Sequence, residues 1–540
     1  MLLHVDSARA VRWLLLFVMQ LTSAVGWCRE SHGQCETTES EMIEGASLTP
    51  SGKSIFFGSS VATSDSVCVV GARLSVDQAT CGTGSGLIHV FDLIDGELTQ
   101  TDVLAPSPSH CGGGLGTRVA ISGDVIAASA PGYSSGISVF VFEKSGGSWT
   151  QSAVITAPPG FSGPDFADSL DLSDGRLFVT NPGFQSSRGC VLVYEKVAGL
   201  WTHTQTLLAA DGLPGDQFGF SLSASGPRCV VGSPYDDTNT ANDGSVYVFE
   251  RIAGSWFQTQ KIVGWPILAG NAGWSVCGDG DNLGYTWFDT IASQRFGRVS
   301  MAKLSGGVWA FDGVLSPGSV TSNDYGREIV MNGNRVAVLE PAPSGVAGAA
   351  IDLFERDALG WTLSVRSYSG FAVQSNIALS ATRAIVGSQN EQYLYGGLNQ
   401  YGRVRVLPVE AGAIESYGSS CHGGGGPMPQ LVVTGCAAPT GPMSTSIQGG
   451  LGGSVAVLLF GLQRASIDVG HGCLLQIAPT LPPTPIVPLF GSGLGSGFIS
   501  FSASLPASLP PISFTMQAFC ADPSAPLGFS VTNGAEISVP

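Results

Sequence analysis

Charge is what this sequence has least of. Only 12% of its 540 residues are Asp, Glu, Lys or Arg, about half the share usual in soluble proteins. The basic side is thinner still: 24 Lys and Arg stand against 41 Asp and Glu, a net charge of −17. A chain so short of clustered cations is not built to neutralise a phosphate backbone, which excludes nucleic acid as a partner. Long apolar runs are missing as well. No segment beyond the N-terminal region is long and apolar enough for a bilayer-spanning helix, and the largely apolar stretch at 451–461 suits a buried strand. Neither His-Glu-x-x-His nor a P-loop occurs, and the seven His are scattered. The sequence therefore points away from an enzyme.

The first 26 residues read as an export signal. Arg9 and Arg12 form a basic start, residues 13–21 form an apolar stretch too short to span a bilayer, and Ala24-Val25-Gly26 puts small residues where cleavage would fall. We expect 1–26 to be a signal peptide and 27–44 an N-terminal segment. The mature chain is expected to be secreted or held at the cell surface, with no transmembrane segment. Trp27 ahead of Cys28 does not suit a lipid-anchor signal. In an exported chain the 12 cysteines are expected in disulfides rather than as metal ligands.

Glycine is abundant, at 74 residues, with 31 prolines. That opposes long helices and favours an all-β protein with tight turns, while a hydrophobic share of 44% is ample for a core. A unit recurs along the chain. It opens with an aromatic or small residue and Gly, runs through two apolar strands and a variable loop to Gly-x-Val-x-Val-Phe, and closes on a Trp and a Gln. The fourth copy is the clearest: Phe218-Gly219, Gly232-Ser233-Pro234, Val246-Tyr247-Val248-Phe249, then Trp256, Gln258 and Gln260. The opening position falls at 58, 116, 167, 219, 273, 326 and 374. Seven copies of about 50 residues with four short strands each predict a seven-bladed β-propeller over 45–410. The seventh copy lacks a Trp-marked fourth strand after Leu407. The segment near 42–48 is expected to supply it, leaving no open sheet edge.

Phe-Gly followed by Gly-Ala/Ser-Pro resembles the FG-GAP repeat, the unit of the integrin alpha-subunit head propeller. The resemblance covers about 45–410. Leu115, Ala167 and Val373-Gln374 depart from its opening pair. It implies a propeller with an adhesion or interaction role.

Residues 411–540 have a different composition, with a glycine run at 423–426 and a proline-rich stretch at 479–488. Strands are expected at 431–434, 444–448, 454–460, 473–477, 497–502, 513–519 and 528–532, a small β-sandwich. The segment resembles a C-terminal module of secreted planctomycete proteins, through Tyr417-Gly418-Ser419-Ser420-Cys421, Leu459-Phe460-Gly461, Gly472-Cys473-Leu474, Gln517-Ala518-Phe519 and Thr532-Asn533-Gly534. Cys421 and Cys473 lie in the segments that carry this resemblance. Their pairing is favoured on that ground, leaving Cys436 with Cys520. The alternative is Cys421–Cys436 with Cys473–Cys520.

The acidic loops are the candidate metal sites. Asp279 and Asp281, in Gly-Asp-Gly-Asp-Asn, resemble part of a calcium loop, but Leu283 and Trp287 stand where further oxygen ligands belong. Asp236, Asp237 and Asp243 form a denser loop whose spacing fits solvated Asx turns. The expectation is no cofactor, with calcium the cation these loops would take. Cys421, His422, His471 and Cys473 are the set zinc would use, but they lack paired knuckle spacing. The Trp series 149, 201, 256, 309 and 361 could form a carbohydrate platform; its fixed place in the repeat favours blade packing.

The functional expectation is a monomeric, non-catalytic propeller at the cell surface. Loops 73–86, 233–243 and 388–401, with 102–113 and 262–272, should gather on one face and bind a protein or glycan. One alternative is a hydrolase with carboxylates at the propeller axis; another is a structural envelope component.

Overall fold

The computed structural model describes residues 41–44, 56–75, 84–94, 97–108, 110–133, 136–263, 270–291, 294–315, 324–340, 350–356, 360–368, 375–388, 402–408, 414–417, 419–421, 428–435, 442–471, 473–479, 486–504 and 512–539. The expected signal peptide, the loop at 389–401, His422 and Cys436 lie outside the described residues. No described helix is long and apolar enough to cross a membrane. The chain divides into two compact units, one of Glu39–Val409 and one containing Glu410–Pro540.

The first unit is a β-propeller. Among the described residues it holds seven antiparallel sheets of four strands. They span 57–104, 119–156, 170–207, 221–263, 276–315, 329–368 and 375–408, the last joined by 41–44. Each of the first six sheets follows chain order from its inner to its outer strand. The third strands are apolar on both faces: Val246, Tyr247, Val248 and Phe249 are all buried, as sheets packed against neighbours on either side require. Each inner strand touches those of the sheets before and after it, and the seventh touches the first.

The seventh sheet is completed from the N-terminal side. Glu41–Glu44 pairs antiparallel with Arg403–Pro408, Ile43 opposite Val404. Residues 45–48 of the segment expected at 42–48 lie outside the described residues. The propeller also begins before residue 45, because these four residues belong to its last sheet.

Glycine is required where consecutive repeats touch. A Cβ on Gly71 would stand 2.0 Å from the carbonyl oxygen of Gly116, and one on Gly232 the same distance from Gly273. At the closing seam a Cβ on Gly387 would be 2.6 Å from the Gly58 carbonyl. The opening glycines also adopt left-handed backbone, with φ of 80° at Gly58, 89° at Gly116 and 87° at Gly273. The carbonyls at this contact receive hydroxyl donors: Ser59 to Gly116 at 2.9 Å, Ser221 to Gly273 at 2.8 Å and Thr286 to Gly326 at 2.6 Å.

At two junctions a closing Gln holds the closing Trp of the next unit at the outer rim. Gln205 donates to the Trp256 carbonyl at 2.7 Å and accepts its N–H at 2.8 Å. Gln260 does the same for Trp309, at 2.9 and 2.8 Å. Trp149, Trp256 and Trp309 are buried, so these indoles pack between sheets rather than form an exposed platform.

The second unit contains a three-stranded sheet, Gln430–Gly435, Pro442–Gly452 and Gly493–Ser504, and a seven-stranded one. One core draws Leu431, Ile447 and Ile499 from the smaller sheet and Leu458, Phe460, Phe514 and Ile537 from the larger. All seven expected strands are present. Three more, Ile414–Tyr417, Ile486–Pro488 and Gly534–Val539, were not anticipated.

Cys421 and Cys473 form a disulfide with Cα atoms 5.4 Å apart. The expected second pair is corrected: Cys520 is a free, fully buried thiol. Its strand points it into the core between the sheets, where it packs as a small apolar side chain, and burial pushes the thiol up to about 12.

Two stability predictions follow from these seams. Ile43 packs with Phe57, Val404 and Val406, so Ile43→Ala should cost about 2 kcal/mol. Calorimetry would read this as a lower melting temperature of the propeller, and unchanged melting would show that the seam does not need this strand. Replacing Cys421 and Cys473 together by Ser opens a crosslink across a sequence separation of 52 residues and should cost the second unit about 4 kcal/mol.

Candidate functional site

The seven inner strands enclose a cavity of about 880 Å³ along the propeller axis. Short polar strands such as Ser221–Ser225 and Leu170–Ser173 form its wall. Each is the innermost strand of its sheet, so its axis-side N–H groups lack a ladder partner and need acceptors.

Those acceptors are side chains of the preceding sheet, placed two, four or six residues after the opening position. At the second position Ser60 accepts the Val119 N–H at 3.1 Å, Ser275 that of Ile329 at 3.2 Å, and Glu328 that of Ile377 at 3.3 Å. At the fourth, Ser223 accepts from Gly278 at 3.1 Å and Asp171 from Ala224 at 2.7 Å. At the sixth, Ser173 accepts from Gly226 at 2.9 Å and Asp279 from Gly333 at 2.7 Å. Carboxylates and serines thus occupy equivalent places and make equivalent bonds.

Two of these carboxyls titrate unusually. Burial raises Asp171 to about 6, against the opposing pull of N–H bonds from Ala224 and Leu172. Burial raises Glu328 to about 7, opposed by the Ile377 N–H and the charges of Arg118 and Arg327. The sequence reading singled out neither residue. The signal of Glu328 was positional, since it stands where Ser60, Ser169, Ser221 and Ser275 stand in sister repeats; Asp171 shares its place with Ser223 alone among serines.

The predicted calcium residues take other partners. Asp279 also accepts from Ser225 at 2.6 Å, and Asp281 pairs with Arg228 at 3.1 Å. In the second loop, Asp236 is buried and accepts from Tyr247 at 2.7 Å, from Lys261 at 3.0 Å and from Thr238. Lys261 reaches Asp211 at 2.6 Å. Burial disfavours the charged forms of Asp211 and Asp236, yet these hydrogen bonds hold both carboxyls below their usual range. The positive charge in this cluster is the chain's own lysine. Asp237 and Asp243 face backbone instead, accepting from Asn242 and Asn239 at 2.7 and 2.9 Å. Among the described residues no group of three or more His, Cys, Asp or Glu is arranged to hold a metal ion.

One end of the cavity is the loop face. Gly86 bridges Leu115, Gly189 bridges Phe218 and Gly244 bridges Ala272. The loop between the second and third strands of one sheet therefore lies beside the entry to the next inner strand. At this mouth Phe220 and Trp274 line the wall with rings 4.8 Å apart, near Arg118, Asp168 and Arg327. A Gly-x-Ser-x-Gly spacing occurs at 132–136, but the element that follows it is the strand Ser138–Ser145 and not a helix.

A family model described as FG-GAP repeat matches residues 201–249, the outer strand of the third sheet and three strands of the fourth. No curated protein matches the chain. The β-propeller domain of the Trilobed protease from Pyrococcus furiosus is similar in shape, at 8% identity and a TM-score of 0.39, over 65% of this chain and 94% of that one. Acylaminoacyl peptidase from Pyrococcus horikoshii is similar at 9% identity and a TM-score of 0.38, over 72% of this chain and 57% of that one. Likeness at this level decides nothing about activity.

Proposed function

We propose that the chain is a secreted or cell-surface, non-catalytic, seven-bladed propeller followed by a β-sandwich, and that it binds a protein or glycan on its loop face. One observation carries this reading. The axial carboxyls that a hydrolase would need, Asp171 and Glu328, accept backbone N–H groups of the next sheet as serines do elsewhere in the ring. Such groups hold the ring together. The residues without this duty, Phe220, Trp274, Asp168 and Arg327, lie at the loop-face mouth. The second reading, an axial hydrolase, draws on the raised pKa of the same two carboxyls.

Hydrolysis separates the two, and titration tests the raised pKa of both carboxyls. Panels of ester, glycoside and peptide substrates should show no turnover; turnover abolished by Asp171→Asn or Glu328→Gln would establish the hydrolase. Both carboxyls bind protons more readily in the folded than in the unfolded chain. Their contribution to stability is therefore largest near pH 4 and falls as pH rises to about 7. Each amide variant keeps an acceptor oxygen and loses this penalty. From pH 5 to pH 8 the melting temperature of either variant relative to the parent should rise by about 1–2 °C, the equivalent of about 1 kcal/mol. For binding, the mature protein is screened on arrays of cell-surface proteins and oligosaccharides. Asp237→Lys with Asn239→Ala, two changes on the 233–243 loop, should alter capture of a loop-face partner; a protein that binds nothing on either array would overturn the proposal.

A further inference from the structure

The mouth of the axial cavity carries a chemistry that ring construction does not explain. The residue after the opening position is Ser59, Thr117, Asp168, Phe220, Trp274 and Arg327 in the first six sheets. Four of these are small, polar or charged. The two aromatics fall on adjacent sheets, so their rings meet at 4.8 Å and 50°. Tyr235 extends the row at 6.2 Å from Phe220, and Phe288 at 5.6 Å from Trp274. Phe220 and Trp274 stay partly exposed. Packing between sheets is supplied by other aromatics, the fully buried Phe57, Phe218 and Tyr325 one residue before the glycines. An apolar ledge therefore stands in an otherwise polar wall.

The polar groups beside the ledge are of both signs. The Arg118 Nε donates to the Asp168 carbonyl at 2.7 Å, and its guanidinium is 4.0 Å from the Asp168 carboxylate, both side chains nearly half exposed. Arg327 is exposed, and Glu328 lies within the electrostatic reach of both arginines. Asp168 answers the charge of Arg118, while Glu328, which burial raises to about 7, answers only part of that of Arg327, and Arg73 also lines the cavity. The Phe220–Trp274 ledge offers no donor to a phosphate or a polyanion, and the arginines repel a lone cation. A neutral ligand with many hydroxyls and an apolar C–H face meets both halves: the ledge takes the flat face, and the charged groups give and receive strong hydrogen bonds.

We infer that the loop-face mouth formed by Phe220, Trp274, Asp168 and Arg327 is a binding site for a neutral saccharide, one sugar ring stacked on the Phe220–Trp274 ledge. This rests on the loop-face reading above and narrows it to one ligand class.

The test uses the mature protein on an array of neutral oligosaccharides ending in glucose, galactose, mannose, fucose or N-acetylglucosamine, with sulfated, uronic-acid and sialic-acid glycans beside them. Affinity for the best neutral binder is then measured by calorimetry. Trp274→Ala should weaken it at least tenfold, and Phe220→Ala and Asp168→Ala severalfold. Phe257→Ala, an exposed aromatic on the outer strand of the fourth sheet, should leave it unchanged. Should Trp274→Ala fail to fold, Phe220→Ala and the surface change Arg327→Ala carry the same comparison. Binding only of acidic glycans, or no saccharide binding at all, overturns the inference. So does neutral-sugar binding that ignores the mouth substitutions but is lost on changing Asp237 and Asn239. That last result, or capture of a protein alone on the loop face, would leave the broader loop-face reading standing.

Discussion

Everything in the propeller depends on how close one repeat can come to the next. The closest approach is glycine against glycine, Gly71 to Gly116 and Gly232 to Gly273, and a methyl group at either second-strand glycine would overlap a carbonyl oxygen. With the backbones this close, side chains of one inner strand reach the N–H groups of the next. The bonds from Val119 to Ser60 and from Gly278 to Ser223 follow from that approach. Each contributes about 1 kcal/mol net, and an unmet N–H in the same place would cost more. The ring is therefore fastened at its inner rim by hydroxyls and carboxylates and at its outer rim by Gln205 and Gln260.

The fold was legible because this constraint repeats. An opening glycine about every 50 residues in most copies, and a closing Trp with a Gln in several, are marks of contacts between copies, so they survive where strand composition drifts. The closing strand was legible for a related reason: a seventh copy without its fourth strand leaves an edge, and Glu41–Glu44 covers it. In the second unit Ile414–Tyr417 and Gly534–Val539 escaped notice because they pair with each other across the whole unit. Cys520 was misread for a similar reason. Its spacing allows a crosslink, but strand alternation turns it into the core.

The candidate site was far less legible. Phe220 and Trp274 were visible as part of the opening motif, yet their neighbourhood depends on ring closure, which brings together residues 54 positions apart. Asp171 and Glu328 gave no local signal, because a carboxylate in a Ser-rich strand reads as ordinary surface. The acidic loop at Asp236 was visible, but its answer lay on another strand, in Lys261 and Tyr247.

The same geometry explains where a ligand site could arise without loss of the ring. At positions two, four and six several inner strands are tied to the next sheet, and there Asp171, Ser173, Ser275, Asp279 and Glu328 act as acceptors. The first position meets no such demand in every copy, and it tolerates Ser, Thr, Asp, Phe, Trp and Arg. It also stands at the end where the variable loops begin, so a change there alters the mouth of the cavity, although Ser59 at this position donates to the next sheet. Chemical diversity in this ring is therefore concentrated in one layer, and Phe220, Trp274, Asp168 and Arg327 are that layer.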